Sequence, residues 1–419
     1  MSSTRARVSL LSIGDELLLG EIVDTNQPYI AQQLLPLGLT MAGSETVGDE
    51  MDDIVAAFKR ALSRADIVIA TGGLGPTDDD LTFEAVARTF GVELQFYPEV
   101  MEQMAARLKR SVESLGGSNR KQATLPKGSR VLKNDWGTAP GVHFATPENK
   151  HIFLMPGVPR EMKGLLGERI IPWLREHFPC DTCIAIKKLH AFGIPESIIG
   201  ERCKPMMQAG HNPNVGTRVS GGVCTVRLVA HAATVSEAAA LLAPCEARVR
   251  EALKEGLFGE DEDSLQSATV RALVERKKTV AMAESCTAGL VASLLAEVPG
   301  ASAVLIEGAV TYANEAKIRT CKVRPETLAA RGAVSAQTAA EMAAGIRERA
   351  GTDIALSVTD IAGPDGGTAE KPVGLVFYGI ATGAGVETLE RKFLGLDRNL
   401  VRERAAMQGL DLIRRAALR

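Results

Sequence analysis

The residues best suited to chemistry lie in the C-terminal third of the chain. They are Ala283-Glu284-Ser285-Cys286-Thr287-Ala288-Gly289, Thr311-Tyr312-Ala313-Asn314-Glu315-Ala316-Lys317 and Ile361-Ala362-Gly363-Pro364-Asp365-Gly366-Gly367. The last of the six histidines is His231, so a self-contained C-terminal domain has no imidazole to activate a serine or cysteine. A nucleophile needs its base within about 3 Å. That part falls to lysine, tyrosine or a carboxylate, and Lys317 and Tyr312 lead.

The elements that must position these groups are legible. Residues 279–283 read as a short buried strand, and Ser285 to Gly289 lead into a small-residue helix over 290–296. A serine at such a turn lies near unpaired N–H groups that can hold a phosphate or an oxyanion. The plainer role of Ser285 or Thr287 is to cap the helix. Residues 304–310 read as a second strand that delivers Tyr312, Asn314 and Lys317. Lysine acts as a base only when burial or a neighbouring cation depresses its pKa; otherwise Lys317 is a solvated residue paired with Glu315 or Arg319. Cys286 is either a rival nucleophile or a small buried apolar residue.

The N-terminal segment has its own signature. Residues 8–13 read as a buried parallel strand ending in Gly14-Asp15-Glu16, with Asp24-Thr25-Asn26 before a helix. A second strand over 67–70 runs into Thr71-Gly72-Gly73-Leu74-Gly75-Pro76-Thr77-Asp78-Asp79-Asp80. Ligand sites of open α/β sheets lie at such strand ends. Glycines there let backbone approach a phosphate, and successive aspartates can hold a divalent cation or simply start a helix. Asn134-Asp135-Trp136-Gly137, the strand over 151–155 and Pro156-Gly157-Val158-Pro159 bring a third loop pair to the same sheet edge.

A length of 419 residues implies two to three domains, and a formal charge of −3 gives no basic excess for nucleic acid. No secretory signal or bilayer-length apolar run is evident, and seven scattered cysteines fit a reducing, cytoplasmic compartment. Cys180-x-x-Cys183 lacks a second ligand pair and reads as structural. Between the ends, 187–190, 195–204, 223–229 and 236–254 suggest strand, helix, strand and helix, a small α+β unit. A glycine- and acid-rich boundary follows at 256–263.

The C-terminal motifs, with Gly332-Ala333-Val334-Ser335 and Lys371-Pro372-Val373-Gly374, resemble the C-terminal domain of CinA proteins, which also occurs alone as a nicotinamide mononucleotide (NMN) amidohydrolase. The resemblance implies hydrolysis of NMN to nicotinic acid mononucleotide and ammonia. It makes Ser285 the nucleophile, Lys317 its base, Tyr312 a proton-transfer or orienting partner and Thr359 a holder of the amide or oxyanion. Thr287, Gly289, Asn314, Gly363, Gly366, Arg398 and Arg402 would bind substrate. Guanidinium forks suit its phosphate, although arginines four apart are also common on a solvated helix face. The chain departs from the family at Asp360, where glycine is usual, and at Ala288.

In order, the N-terminal loops resemble the molybdopterin-binding fold of CinA proteins, and the middle unit resembles their KH-like linker. The unit lacks a Gly-x-x-Gly clamp, so a spacer or dimerisation role is expected rather than RNA binding. The N-terminal resemblance implies hydrolysis of the ADP-ribose pyrophosphate with a divalent metal (Mg, Mn or Co) and potassium as a second candidate ion. Asp78, Asp79 and Asp80, faced by Asp15 and Glu16, would hold the metal. Asn26, Gly72, Gly73 and Gly75 would contact nucleotide.

The expected architecture is thus two layered α/β domains, 1–173 and 257–419, joined by a small α+β domain, 174–256, in a homodimer. A non-catalytic alternative keeps the same folds: Asp360 has impaired the deamidase, and the chain binds a nucleotide or pterin without turnover.

Overall fold

The computed structural model describes residues 6–179, 183–208 and 210–419. Two compact units are present, one formed by 1–185 with 230–240 and the other by 186–229 with 241–419.

The first unit contains β1 (Arg7–Ile13), β2 (Thr40–Val47), β3 (Ile67–Thr71), β4 (Leu94–Phe96), β5 (Thr124–Pro126), β6 (Arg130–Leu132), β7 (Gly141–Ala145) and β8 (His151–Met155). Six of them form a sheet in the order β2-β1-β3-β8-β7-β6. The first four are mutually parallel, and β7 and β6 close the edge antiparallel. The strand period of two assigns side chains to two cores. Val8, Leu10, Ile67, Ile69 and Phe153 pack with Ile30 and Leu34 on one face. Leu11, Ile13, Val68, Ala70, Ile152 and Leu154 pack with Ile54 and Phe58 on the other. Covering both faces is what makes these strands continuous apolar runs rather than alternating ones. β1 lies between β2 and β3, so the chain reverses its winding beside β1 and opens a crevice at the carboxyl ends of β1 and β3.

The second unit holds β9 (Cys183–Phe192), β10 (Asn214–Ser220), β11 (Val223–Ala232) and β12 (Leu257–Glu260), whose sheet order is β10-β11-β9-β12. The N-terminal end of β9 and the C-terminal end of β11 fall in the first unit. Helices Glu196–Cys203 and Val235–Leu253 accompany this sheet. Two of its strands escape sequence reading. β10 is polar and mostly exposed, and β12 is a four-residue strand within the segment taken as a boundary. Cys180 lies outside the described residues, so the Cys180-x-x-Cys183 pair is not described; Cys183 is a free thiol.

A five-stranded sheet completes this unit: β13 (Val280–Glu284), β14 (Leu305–Val310), β15 (Ile354–Asp360), β16 (Leu375–Thr382) and β17 (Gly385–Lys392), ordered β14-β13-β15-β16-β17. β14, β13 and β15 are parallel, while β16 and β17 are antiparallel additions. Val280, Met282, Ile354, Leu356 and Val358 face helices Leu265–Glu275, Leu290–Ala296 and Arg398–Leu418. Ala281, Ala283 and Ala355 face helix Ala336–Ala350. The small residues on that second face let the helix approach closely, and a Cβ on Gly345 would lie 1.7 Å from the Cys321 carbonyl oxygen. Among the described residues no helix is long and apolar enough to cross a membrane.

Candidate functional site

β13 ends at Glu284, and the chain turns at Ser285, whose N–H donates to the Val358 carbonyl of β15. Ser285 does not cap the following helix. The cap is Glu284, 1% exposed, whose carboxylate accepts from the N–H groups of Gly289, Val291 and Ala292 at 3.0, 3.1 and 2.9 Å. Leu290 N–H donates to the Thr287 carbonyl. The donors of that first turn are therefore occupied by the protein, which corrects the expectation that they are free for a phosphate. Thr287 is fully buried and does not cap either.

Lys317 sits on helix Asn314–Cys321 and is 1% exposed. Its Nζ donates to Ser285 Oγ at 3.2 Å and to the carbonyls of Thr311 and Tyr312, each at 2.9 Å. These acceptors are a hydroxyl and two carbonyls, and no carboxylate among the described residues pairs with the ammonium. Burial accordingly pulls the Lys317 pKa below the usual lysine value. The lysine is not the solvated partner of Glu315 or Arg319. Burial pushes the Cys286 thiol well above its ordinary pKa, which removes it as a thiolate nucleophile near neutral pH.

A cavity of about 290 Å³ contains Ser285, Lys317, Tyr312, Thr359, Gly363, Gly366 and Arg398 among its lining residues. Thr287, Gly289, Asn314 and Arg402 do not line it. Tyr312 contributes its carbonyl to Lys317, while its hydroxyl accepts from Arg398 Nη2 at 2.8 Å. Arg398 Nη1 also donates to the Gly363 carbonyl, fastening the glycine-rich loop. Arg402 grips the loop after the serine from behind, donating to the carbonyls of Cys286 and Thr287. Thr359 is buried with its hydroxyl donating to the Ala333 carbonyl. Asp360 also lines the cavity. Burial raises its pKa to about 6 against the opposing influence of the Cys286 thiol, Arg398 and Arg402.

The first unit has a cavity of about 610 Å³ at the carboxyl ends of β1, β3 and β8. Glu16, Asn26, Gly72, Gly73, Gly75, Asp79 and Asp80 line it; Asp15 and Asp78 do not. The glycines are required by crowding within the protein. A Cβ on Gly72, Gly73 or Gly75 would lie 2.0 Å from the Ile13 carbonyl oxygen, 2.3 Å from Thr82 Oγ1 or 2.3 Å from Asp80 Oδ2. Asp80 braces its own loop, accepting from Gly75 N–H, Thr77 N–H and Thr77 Oγ1 at 2.7, 2.9 and 2.6 Å. Asn26 Nδ2 donates to the Gly157 carbonyl, and its buried Oδ1 has no partner.

Sequence reading missed Asp49, which lines this cavity; its carboxylate accepts from the Asp15 N–H, and its own N–H donates to the Asp15 carboxylate. Burial, reinforced by the like charges of Asp15, Glu16 and Asp79, raises its pKa. Its isolation in sequence, just before helix Met51–Arg64, offers no motif to find it by. Among the described residues no three His, Cys, Asp or Glu form a ready-made metal cage. The string Asp78-Asp79-Asp80 fails as a cage because successive side chains point apart and Asp80 is consumed by its turn.

Fold and sites together define a multidomain α/β protein, with a strand-end crevice in one sheet and a serine–lysine pair in another. The family model "CinA C-terminal domain" matches residues 262–417, "Probable molybdopterin binding domain" matches 9–176, and "Damage-inducible protein CinA KH domain" matches 186–259. A "CinA-like protein" of Kosmotoga olearia is 42% identical over 413 residues, covering 98% of this chain and 99% of that protein. A "Putative competence-damage inducible protein" of Clostridium acetobutylicum is 42% identical over 409 residues, covering 98% of each. The solved competence/damage inducible protein CihA from Agrobacterium tumefaciens is 38% identical, covering 37% of this chain and 96% of that one with a TM-score of 0.35. The chain belongs to the CinA family.

Proposed function

We propose that the C-terminal domain hydrolyses the carboxamide of NMN to nicotinic acid mononucleotide and ammonia, and that the N-terminal domain hydrolyses the ADP-ribose pyrophosphate with a divalent metal. The observation that carries the first activity is Lys317 Nζ, buried, unbalanced by a carboxylate and 3.2 Å from Ser285 Oγ. A lysine so desolvated is a base suited to a serine that has no histidine. Neutral Lys317 takes the Ser285 proton as Oγ bonds to the amide carbon. The proton then passes to the departing nitrogen as the C–N bond breaks, and water hydrolyses the acyl-serine. The cavity of about 290 Å³ suits a mononucleotide, and Arg398, with guanidinium donors beyond the two it spends, suits its phosphate.

For the second activity, the support is the convergence of Glu16, Asp49 and Asp79 on a cavity of about 610 Å³. Ions such as Mg²⁺ take one or two carboxylates and complete their shell with water and substrate phosphates, so a three-ligand cage is not required. One or two of the carboxylates of Asp49, Glu16 and Asp79 would hold Mg, Mn or Co, and a bound cation would offset the burial and the like charges that raise the Asp49 pKa. Such a metal supplies phosphate charge neutralisation and a lower pKa for an attacking water. Asn26 Oδ1 offers an acceptor to the nucleotide, and potassium is the second ion proposed. A cytoplasmic homodimer is the proposed state; the cysteines of the described residues are free, which suits a reducing compartment.

Ammonia release from NMN by the purified protein tests the deamidase beside Ser285→Ala and Lys317→Ala, both expected to be inactive. A silent wild type with an active Asp360→Gly variant would establish the binding-only alternative instead. Absence of ADP-ribose hydrolysis in the presence of Mg, Mn or Co would reject the second activity, and hydrolysis that survives both chelation and Asp49→Asn would reject its metal site.

A further inference from the structure

Both carboxylate oxygens of Asp360 are buried, and neither accepts from a nitrogen or hydroxyl donor. The residue closes β15, and its side chain lines the cavity that holds Ser285 and Lys317. Its basic neighbours are engaged elsewhere. Arg398 donates to Gly363 and Tyr312, and Arg402 donates to the carbonyls of Cys286 and Thr287. The Cys286 thiol, a weak donor, is the one group beside it that lowers its pKa by hydrogen bonding. A buried carboxyl group with at most a weak thiol donor is costly, and it is tolerable where a ligand brings the missing donors.

At this position the missing donors match the proposed substrate. An amide nitrogen carries two N–H groups and leaves as ammonia, whereas the product carries a carboxylate at the same carbon. We propose that Asp360 forms the leaving-group subsite of the C-terminal cavity: its carboxylate accepts from the amide N–H groups, receives the nitrogen as it departs and repels the carboxylate product. The inference rests on the deamidase reading and deepens it by assigning the discrimination between substrate and product. The step balances without Asp360 changing its own bonds. Ser285 Oγ–C forms, C–N breaks, the serine proton reaches nitrogen through Lys317, and ammonia takes a further proton from solvent to become ammonium.

Equilibrium binding to a protein that cannot turn over isolates this subsite. Ser285→Ala is titrated calorimetrically with NMN and with nicotinic acid mononucleotide at pH 8, beside Ser285→Ala/Asp360→Asn and Ser285→Ala/Asp360→Gly. The expected result is a preference of about tenfold or more for the amide in Ser285→Ala, collapsing to less than about threefold in the double variants. The glycine variant keeps the comparison valid if the asparagine variant fails to fold. A structural role for Asp360 would weaken both ligands alike and leave their ratio unchanged, and that result overturns the proposal. Failure of Ser285→Ala to bind either nucleotide overturns the deamidase reading, and the subsite with it.

Discussion

Glu284→Ala tests whether one buried carboxylate holds the serine loop in place. The wild-type side chain accepts from three N–H groups at 2.9 to 3.1 Å, at the start of a helix that begins five residues after the serine. Hydrogen bonds to charged groups contribute about 1.5–3 kcal/mol each, and the helix N-terminus favours a negative charge. Relief of burying the carboxylate offsets part of the loss, which leaves roughly 3–5 kcal/mol for Ala. Glu284→Gln keeps one acceptor oxygen but turns an NH₂ group toward the other N–H groups, and should lose about 2–3 kcal/mol. For a domain of this size the Ala variant should melt about 10 °C lower. Urea unfolding monitored by C-terminal amide hydrogen exchange, with ammonia release below the transition, reads both consequences. A Glu284→Ala protein within about 0.5 kcal/mol of wild type, with protected Val291 and Ala292 amides, would refute the capping argument.

Lys317→Met should abolish turnover yet raise stability at neutral pH, because burial penalises the ammonium. That penalty is complete below the lowered folded pKa and fades as pH rises toward the unfolded value, so the stability gain should shrink in alkaline denaturation series. Asp360→Asn should show the mirror dependence. The folded carboxyl pKa is raised from 3.8 to about 6, so the ionised form is penalised. The penalty is absent below the ordinary carboxyl range, grows up to about pH 6 and is worth about 3 kcal/mol above it. Equal stability of wild type and Asp360→Asn at pH 8 would contradict this. Gly345→Ala drives a methyl into the Cys321 carbonyl at the end of the helix that carries Lys317, so a loss of roughly 1–3 kcal/mol with a fall in kcat is expected. Thermal melts and steady-state kinetics on one preparation check it.

Much of the architecture was written in local pattern. The strand His151–Met155 and the helix Leu290–Ala296 fall where apolar runs and their bounding residues put them, because buried parallel strands announce themselves as unbroken apolar segments. β10 and β12 did not, since an exposed edge strand and a four-residue strand need little apolar patterning. The serine, the lysine and the absence of histidine beyond His231 were also visible as residue types. What the tertiary structure alone decided is the state of each group. Lys317 is desolvated, Glu284 rather than Ser285 caps the helix, Asp80 is spent on its own turn, Asp49 joins a distant acidic group, and Asp360 is left without a nitrogen or hydroxyl donor. A sequence specifies which groups exist and the period on which they recur. Burial and partners arise from segments far apart in the chain, and those set the charge, reach and availability that make a side chain able to act.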